Sequence, residues 1–256
     1  MSILDQFSLR GKVALVTGAS RGLGQAMAIG LAEAGADIAA LDRTPDCALT
    51  GEQVEQVGQR CISIQQDLLE ASVADLNDCV KHVVSELGRL DILINNAGII
   101  RRAPALDFSE EDWDDVINLN LRAVFFMSQA AGRVMSEHGG GKIINVASML
   151  SFQGGIIVPS YTAAKSAVAG LTRALANEWA DYNINVNAIA PGYMATDNTA
   201  PLRADAARSE SILSRIPAGH WGEPDDLKGV AVFLASDAAR YVQGAIIPVD
   251  GGWLAR

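Results

Sequence analysis

Short runs that are apolar on both faces recur along this chain, and each is followed by a longer stretch with helical punctuation. Lys12-Val-Ala-Leu-Val-Thr17, Asp37-Ile-Ala-Ala-Leu-Asp42, Leu90-Asp-Ile-Leu-Ile-Asn95, Lys142-Ile-Ile-Asn-Val-Ala-Ser148 and Ile184-Asn-Val-Asn-Ala-Ile-Ala190 are the clearest, with weaker runs at 60–65 and 245–249. A strand apolar on both faces must be covered on both faces, and a parallel sheet between two helical layers does this. Helices are expected over 22–34, 51–57, 72–88, 109–137, 159–182, 196–215 and 224–235. Gly35 and Gly88 stand where a helix ends in a left-handed residue, and Ser72 with Asp75 has capping-box spacing. The segment from Ser109 through Phe125 to Glu137 reads as one helix, broken by Gly139-Gly-Gly141. No linker, repeat or low-complexity stretch interrupts the order. Residues 1–256 therefore read as one α/β domain, a doubly wound parallel sheet with right-handed crossovers.

Composition narrows the function classes. The chain has 256 residues with 30 acids against 20 bases, a net charge of -10, which argues against a nucleic-acid surface. No apolar run reaches spanning length, and the N-terminus lacks the basic and apolar regions of a signal peptide. Cys47, Cys61 and Cys79 have no metal-ligand spacing and read as free thiols in a reducing compartment. His82, His138 and His220 are likewise unsuited to a metal, and none is expected. A cytoplasmic protein without nucleic-acid or membrane partners is the expectation.

Two motifs carry chemistry. Thr17-Gly-Ala-Ser-Arg-Gly-Leu-Gly24 lies between the first strand and the first helix. Small residues there let a pyrophosphate approach the backbone, and the helix N-terminus offers unpaired N–H groups. Gly18, Ser20, Arg21, Gly22, Leu23 and Gly24 are the candidate contacts. Asp42 ends the second strand about 20 residues on, where a carboxylate binds ribose hydroxyls and repels a 2′-phosphate, so NAD is favoured over NADP. Arg21 and Arg43 point the other way. Asp67 with Leu68, and Asn95, Ala97 and Gly98 at the end of the fourth strand, complete the candidate cofactor edge. The second motif is Tyr161-Thr-Ala-Ala-Lys165, with Ser148 upstream. A Tyr and a Lys four apart share a helix face, and an ammonium beside a phenol lowers its pKa.

Together, Thr17 to Gly24, Asn95 to Gly98, Asn120, Ser148, Tyr161-x-x-x-Lys165 and Pro191-Gly192 resemble the short-chain dehydrogenase/reductase superfamily over essentially the whole chain. The resemblance implies an oxidoreductase in which Tyr161 exchanges a proton with the substrate oxygen and Ser148 polarises it. Lys165 holds the nicotinamide ribose and tunes the phenol, and Asn120, rather than the nearby Asn118, holds a relay water. It also implies that Pro191, Gly192 and Thr196 border the nicotinamide, that 193–222 forms a substrate lid, and that the chain is a homotetramer. Ile99-Ile-Arg-Arg102, Phe108 to Asp115, Ala147 to Gly154, Ala190 to Thr196 and Val249 to Arg256 resemble sugar-acid dehydrogenases within that superfamily. The implied substrate is a deoxy sugar acid of pectin or hexuronate breakdown. Arg101 and Arg102 are candidates for its carboxylate, with Met149, Gln153 and Met194 lining the pocket. The rival readings are a 3-oxoacyl-thioester reductase using NADPH and a non-catalytic nucleotide-binding sensor or scaffold.

Overall fold

Strand order places the two motifs at one edge of a sheet. The computed structural model describes residues 2–44 and 47–256. In chain order the elements are β1 (Val13–Thr17), α1 (Gly22–Glu33), β2 (Asp37–Asp42), α2 (Ala48–Gln56), β3 (Cys61–Gln65), α3 (Val73–Leu87) and β4 (Ile92–Asn95). They continue with α4 (Glu110–Ile117), α5 (Ala123–Glu137), β5 (Gly141–Val146), α6 (Pro159–Trp179) and β6 (Ile184–Pro191), then α7 (Ala200–Ala204), α8 (Ala206–Leu213), α9 (Lys228–Ala235) and β7 (Ile246–Val249). The sheet runs β3-β2-β1-β4-β5-β6-β7, and every pair is parallel. Crossovers diverge on either side of the β1–β4 pair, which opens a crevice above their C-terminal ends.

Side-chain alternation explains the double cover. In β1, Val13 and Leu15 enter one core with Val80 and Val83 of α3 and Met127 and Met135 of α5. Ala14 and Val16 enter the other, with Met27 and Leu31 of α1 and Leu234 of α9. β4 divides in the same way, Leu93 to the first side and Ile92 and Ile94 to the second. Helix ends follow the local chemistry. Asp75 N–H donates to Ser72 Oγ at 3.2 Å while Ser72 N–H donates to Asp75 Oδ2 at 2.8 Å, and Gly88 takes φ +87°.

Two expected helices are not continuous. The stretch from Ser109 to Glu137 is interrupted at Asn118–Arg122 by a wider π-helical turn, in which Ala123 N–H reaches back five residues to Asn118 C=O. The cause is Asn120. Its buried amide accepts Ile99 N–H (2.9 Å) and donates to Ile99 C=O (2.8 Å), so the helix is drawn toward the loop after β4. The 196–215 stretch is two short helices, α7 and α8, divided at Asp205, whose carboxylate caps α8 through Arg208 N–H.

A buried polar chain ties β4 and β5 to the helices on one side. Asn95 Nδ2 donates to Ser128 Oγ and to Asn145 Oδ1, both at 2.9 Å, and Asn145 Nδ2 donates to Thr172 Oγ1 at 3.0 Å. Ser128 and Thr172 donate in turn to the carbonyls of Val124 and Val168. Asn145→Ala leaves buried amide and hydroxyl groups short of partners. It is expected to lower unfolding free energy by about 1–3 kcal/mol in urea titration, and an unchanged midpoint would show the chain to be energetically idle.

Candidate active site

The glycine turn is locked from behind. Asn96 Nδ2 donates to Thr17 C=O (2.9 Å) and Gly18 C=O (3.1 Å), and Thr17 Oγ1 accepts the N–H groups of Asn96 and Ala97, each at 3.0 Å. Gly18 has φ +67°, and a Cβ on Gly24 would lie 2.1 Å from Gly18 C=O. Only glycine fits both places. α1 begins at Gly22 with no side chain capping its N-terminus, so its first N–H groups remain available to an anion. The sequence places Asn96 in the turn after the fourth strand but does not show this clasp, because it depends on a contact between two loops distant in the chain.

The surrounding candidates divide. Asp42 Oδ2 accepts Ser20 N–H (3.2 Å) and Ser20 Oγ–H (2.7 Å), which fixes the carboxylate beside the turn. Thr196 lies against the same turn, its Cγ2 3.9 Å from where a Cβ on Gly22 would stand. Arg21 forms an ion pair with Asp197 at 3.1 Å, and Arg43 C=O accepts Gln65 Nε2. Asp67 Oδ1 accepts Leu69 N–H and shapes its own turn. A Cβ on Gly98 would lie a tight 3.2 Å from Asn120 Oδ1, and one on Gly192 would lie 2.6 Å from Asp250 Cα, so close packing requires glycine at 192. The Asn95 amide points into the buried polar chain, and the Leu68 side chain belongs to the core. Cradle, open helix N-terminus and anchored carboxylate together fit a dinucleotide.

The reacting groups stand at the C-terminal end of β5. Lys165, 4 % exposed, donates from Nζ to Val146 C=O at 2.5 Å and lies 5.7 Å from the centre of the Tyr161 ring. Burial pushes its pKa down to about 8. Ser148 is buried just past the strand; its Oγ accepts Leu150 N–H (3.1 Å), and it stands near enough to the Tyr161 phenol to lower its pKa. The phenol's balance differs from the sequence expectation. Burial raises its pKa, and the opposing pull comes from Ser148 and the Arg102 guanidinium. Lys165 aims its ammonium at a carbonyl and across the ring face, which explains its small part.

The arginine pair also separates. Arg101 is held by α4, 3.1 Å from Asp112 and 2.7 Å from Asp115. Arg102 is exposed, reaches Asn198 C=O at 3.2 Å, and is close enough to act on Tyr161. Met149 and Met194 are both largely buried: the first packs with Ile212, Ile216 and Trp253, and the second packs against Gly222 and lines a cavity with Tyr193, Ile216 and His220. Gln153 is half-buried. Among the described residues no three His, Cys, Asp or Glu side chains gather to hold a metal, and no helix is long and apolar enough to cross a membrane.

This fold and site are those of a nicotinamide-dependent oxidoreductase, and the chain belongs to the short chain dehydrogenase family, whose model matches residues 12–207. It is 61% identical over 255 residues to 2-dehydro-3-deoxy-D-gluconate 5-dehydrogenase of Dickeya dadantii (strain 3937), covering 99% of this chain and 100% of that protein. A crystal structure from Agrobacterium tumefaciens with bound NADP is 54% identical, with a TM-score of 0.91 over 98% of this chain and 100% of that one. A gluconate 5-dehydrogenase from Burkholderia cenocepacia J2315 in complex with NADP and tartrate is 40% identical, with a TM-score of 0.95 over 100% of both chains.

Lys165 gives a signed pH prediction. Its folded pKa, about 8, lies below the ordinary 10.5, so between those values the unfolded chain binds more protons and stability rises with pH. Lys165→Met removes this dependence. The variant is expected to melt above the wild type at pH 7, by up to about 3 kcal/mol of pH-dependent stability, with the gap closing as pH rises through 8 toward 10. A gap that does not change with pH would contradict the assignment.

Proposed function

We propose that this enzyme transfers a hydride between NAD(H) and C5 of a 3-deoxy sugar acid, interconverting 2-dehydro-3-deoxy-D-gluconate and its 5-keto form. Reduction is the working direction, within pectin or hexuronate breakdown. The observation that carries the reading is the exposed Arg102 guanidinium close to the phenol of Tyr161, beside Ser148. A guanidinium fork there suits the carboxylate of a short acid whose far end is a carbonyl. The name of the Dickeya relative supports the same substrate.

The bound nicotinamide supplies the hydride to the carbonyl carbon. Tyr161 gives its proton to the carbonyl oxygen as charge develops there, and the Ser148 hydroxyl donates a hydrogen bond to the same oxygen. Lys165 holds the nicotinamide ribose and, through a water held by Asn120, returns the proton to the phenolate. Gly18 to Gly24 seat the pyrophosphate, with Asp42 on the adenine ribose and Thr196, Pro191 and Gly192 beside the nicotinamide. Asp42 supports a preference for NADH, since a fixed carboxylate repels a 2′-phosphate, and Arg21 is already engaged by Asp197. The 193–222 segment closes over the substrate. Small exposed residues along α6, Ala163 and Gly170, support packing against a second copy in a homotetramer, which sedimentation would test.

Initial rates with 2,5-diketo-3-deoxygluconate and an acetoacetyl thioester, each with NADH and NADPH, test the assignment. Turnover of the sugar acid with NADH is expected, and Tyr161→Phe should lose at least about 100-fold. Thioester turnover with NADPH in its place would overturn substrate and cofactor together. Arg102→Ala is expected to raise KM for the acid by about 10- to 100-fold, the loss of a charged hydrogen bond. It should also move the basic limb of the rate profile upward, because the phenol loses a positive neighbour. Unchanged KM and profile would remove Arg102 from the site.

A further inference from the structure

Residues 253–255 form a short turn whose first side chain is buried. Trp253, three residues from the end, is 5 % exposed. It packs with Met149, Ile212 and Ile216 in a cluster apart from the two cores beside the sheet. Met149 directly follows Ser148, while Ile212 and Ile216 belong to the 193–222 segment. From that segment Tyr193 sets its ring edge-on to Trp253, centres 4.9 Å apart at 65°, and to Trp221 at 5.4 Å and 83°. Arg215 covers the Trp253 ring with its guanidinium 4.0 Å from the centre.

Hydrogen bonds join the same two pieces. Ala218 N–H donates to Gly251 C=O (3.0 Å), and Arg256 Nη2 donates to Ser214 C=O (2.8 Å). The turn itself is set by Asp250, whose carboxylate accepts Gly252 N–H and Leu254 N–H, both at 2.9 Å. The other end of the segment is held more lightly. Arg21 and Asp197 pair while both are largely exposed, and exposed pairs of that kind contribute little. Arg203 and Arg208 stand in solvent.

We infer that Trp253 is a positioning residue: the C-terminal turn, by packing between Met149 and Tyr193, sets where the 193–222 segment rests relative to Ser148, and so sets affinity for the sugar acid. This rests on the substrate reading above. Its indole N–H is buried and finds no partner among the described residues, so the ring does the positioning and the nitrogen does not. Phenylalanine therefore suffices at this place and alanine does not.

The test compares Trp253→Phe, Trp253→Ala and Arg256→Ala with the wild type. In Trp253→Ala, KM for the sugar acid is expected to rise about tenfold or more, with the NADH dissociation constant within about twofold and kcat less affected than KM. Trypsin cleavage after Arg203 and Arg208 should quicken about tenfold, since the segment opens more often. Trp253→Phe should match the wild type in all four readouts, and Arg256→Ala should move KM and cleavage in the direction of Trp253→Ala by a smaller factor. That milder variant carries the test if Trp253→Ala does not fold. Unchanged KM and cleavage in Trp253→Ala would overturn the inference, or in Arg256→Ala should that variant alone fold. So would a Trp253→Phe as impaired as Trp253→Ala, since the N–H would then be the working part. Cleavage is read without substrate: if the wild type ignores the sugar acid while Trp253→Ala is still cut faster, the substrate reading fails and the anchoring stands.

Discussion

Parallel pairing of β1 with β4 at the centre of the sheet is the constraint on which the rest depends. Because the chain crosses over to opposite sides after these two strands, their C-terminal ends part and leave a crevice between the loops that follow. Both loops must approach closely at its floor. Thr17 and Asn96 bond them together across the gap, and Gly18 and Gly24 are the residues small enough to allow it. Cofactor cradle and sheet geometry are thus one feature. A side chain on Gly24 would force apart the turn that opens α1.

The reacting cluster is built on burial in the same way. Tyr161 and Lys165 are a helical pair, but what surrounds them decides their titration. Burial moves the two in opposite senses, raising the phenol and lowering the amine, so their pKa values move apart and the amine becomes the stronger acid of the pair. The phenol therefore holds its proton more firmly than the ammonium does. Arg102 adds a positive charge from a different loop. That residue draws the phenol's pKa down against the effect of burial.

The interruption between α4 and α5 coincides with a buried contact to the loop after β4. Asn120 spends its amide on the backbone of Ile99 and widens the helix around itself, which binds the α4–α5 stretch to the loop carrying Arg101 and Arg102. The ion pairs of Arg101 with Asp112 and Asp115 secure the same loop from the other side. Arg102 is thereby left as the arginine beside the phenol.

The sequence by itself determined the class of fold, because strands apolar on both faces admit a covered parallel sheet, and capping residues such as Ser72, Asp75 and Gly88 mark helix ends through local chemistry. It also determined the two motifs, whose residues are neighbours in the chain or on a single helix face. Tertiary structure decided whatever depends on contacts between distant segments. It sent the Asn95 amide inward to Asn145 and made Asn96 the clasp of the glycine turn. It separated Arg101 from Arg102 through the acids of α4, buried Met149 and Met194, and brought Trp253 from the end of the chain to the side of the reacting residues. The physical reason is the same in each case. Propensity and periodicity report on a residue's own backbone, whereas the partner of a buried amide, a guanidinium or an indole ring is chosen by packing between elements that the sequence keeps far apart.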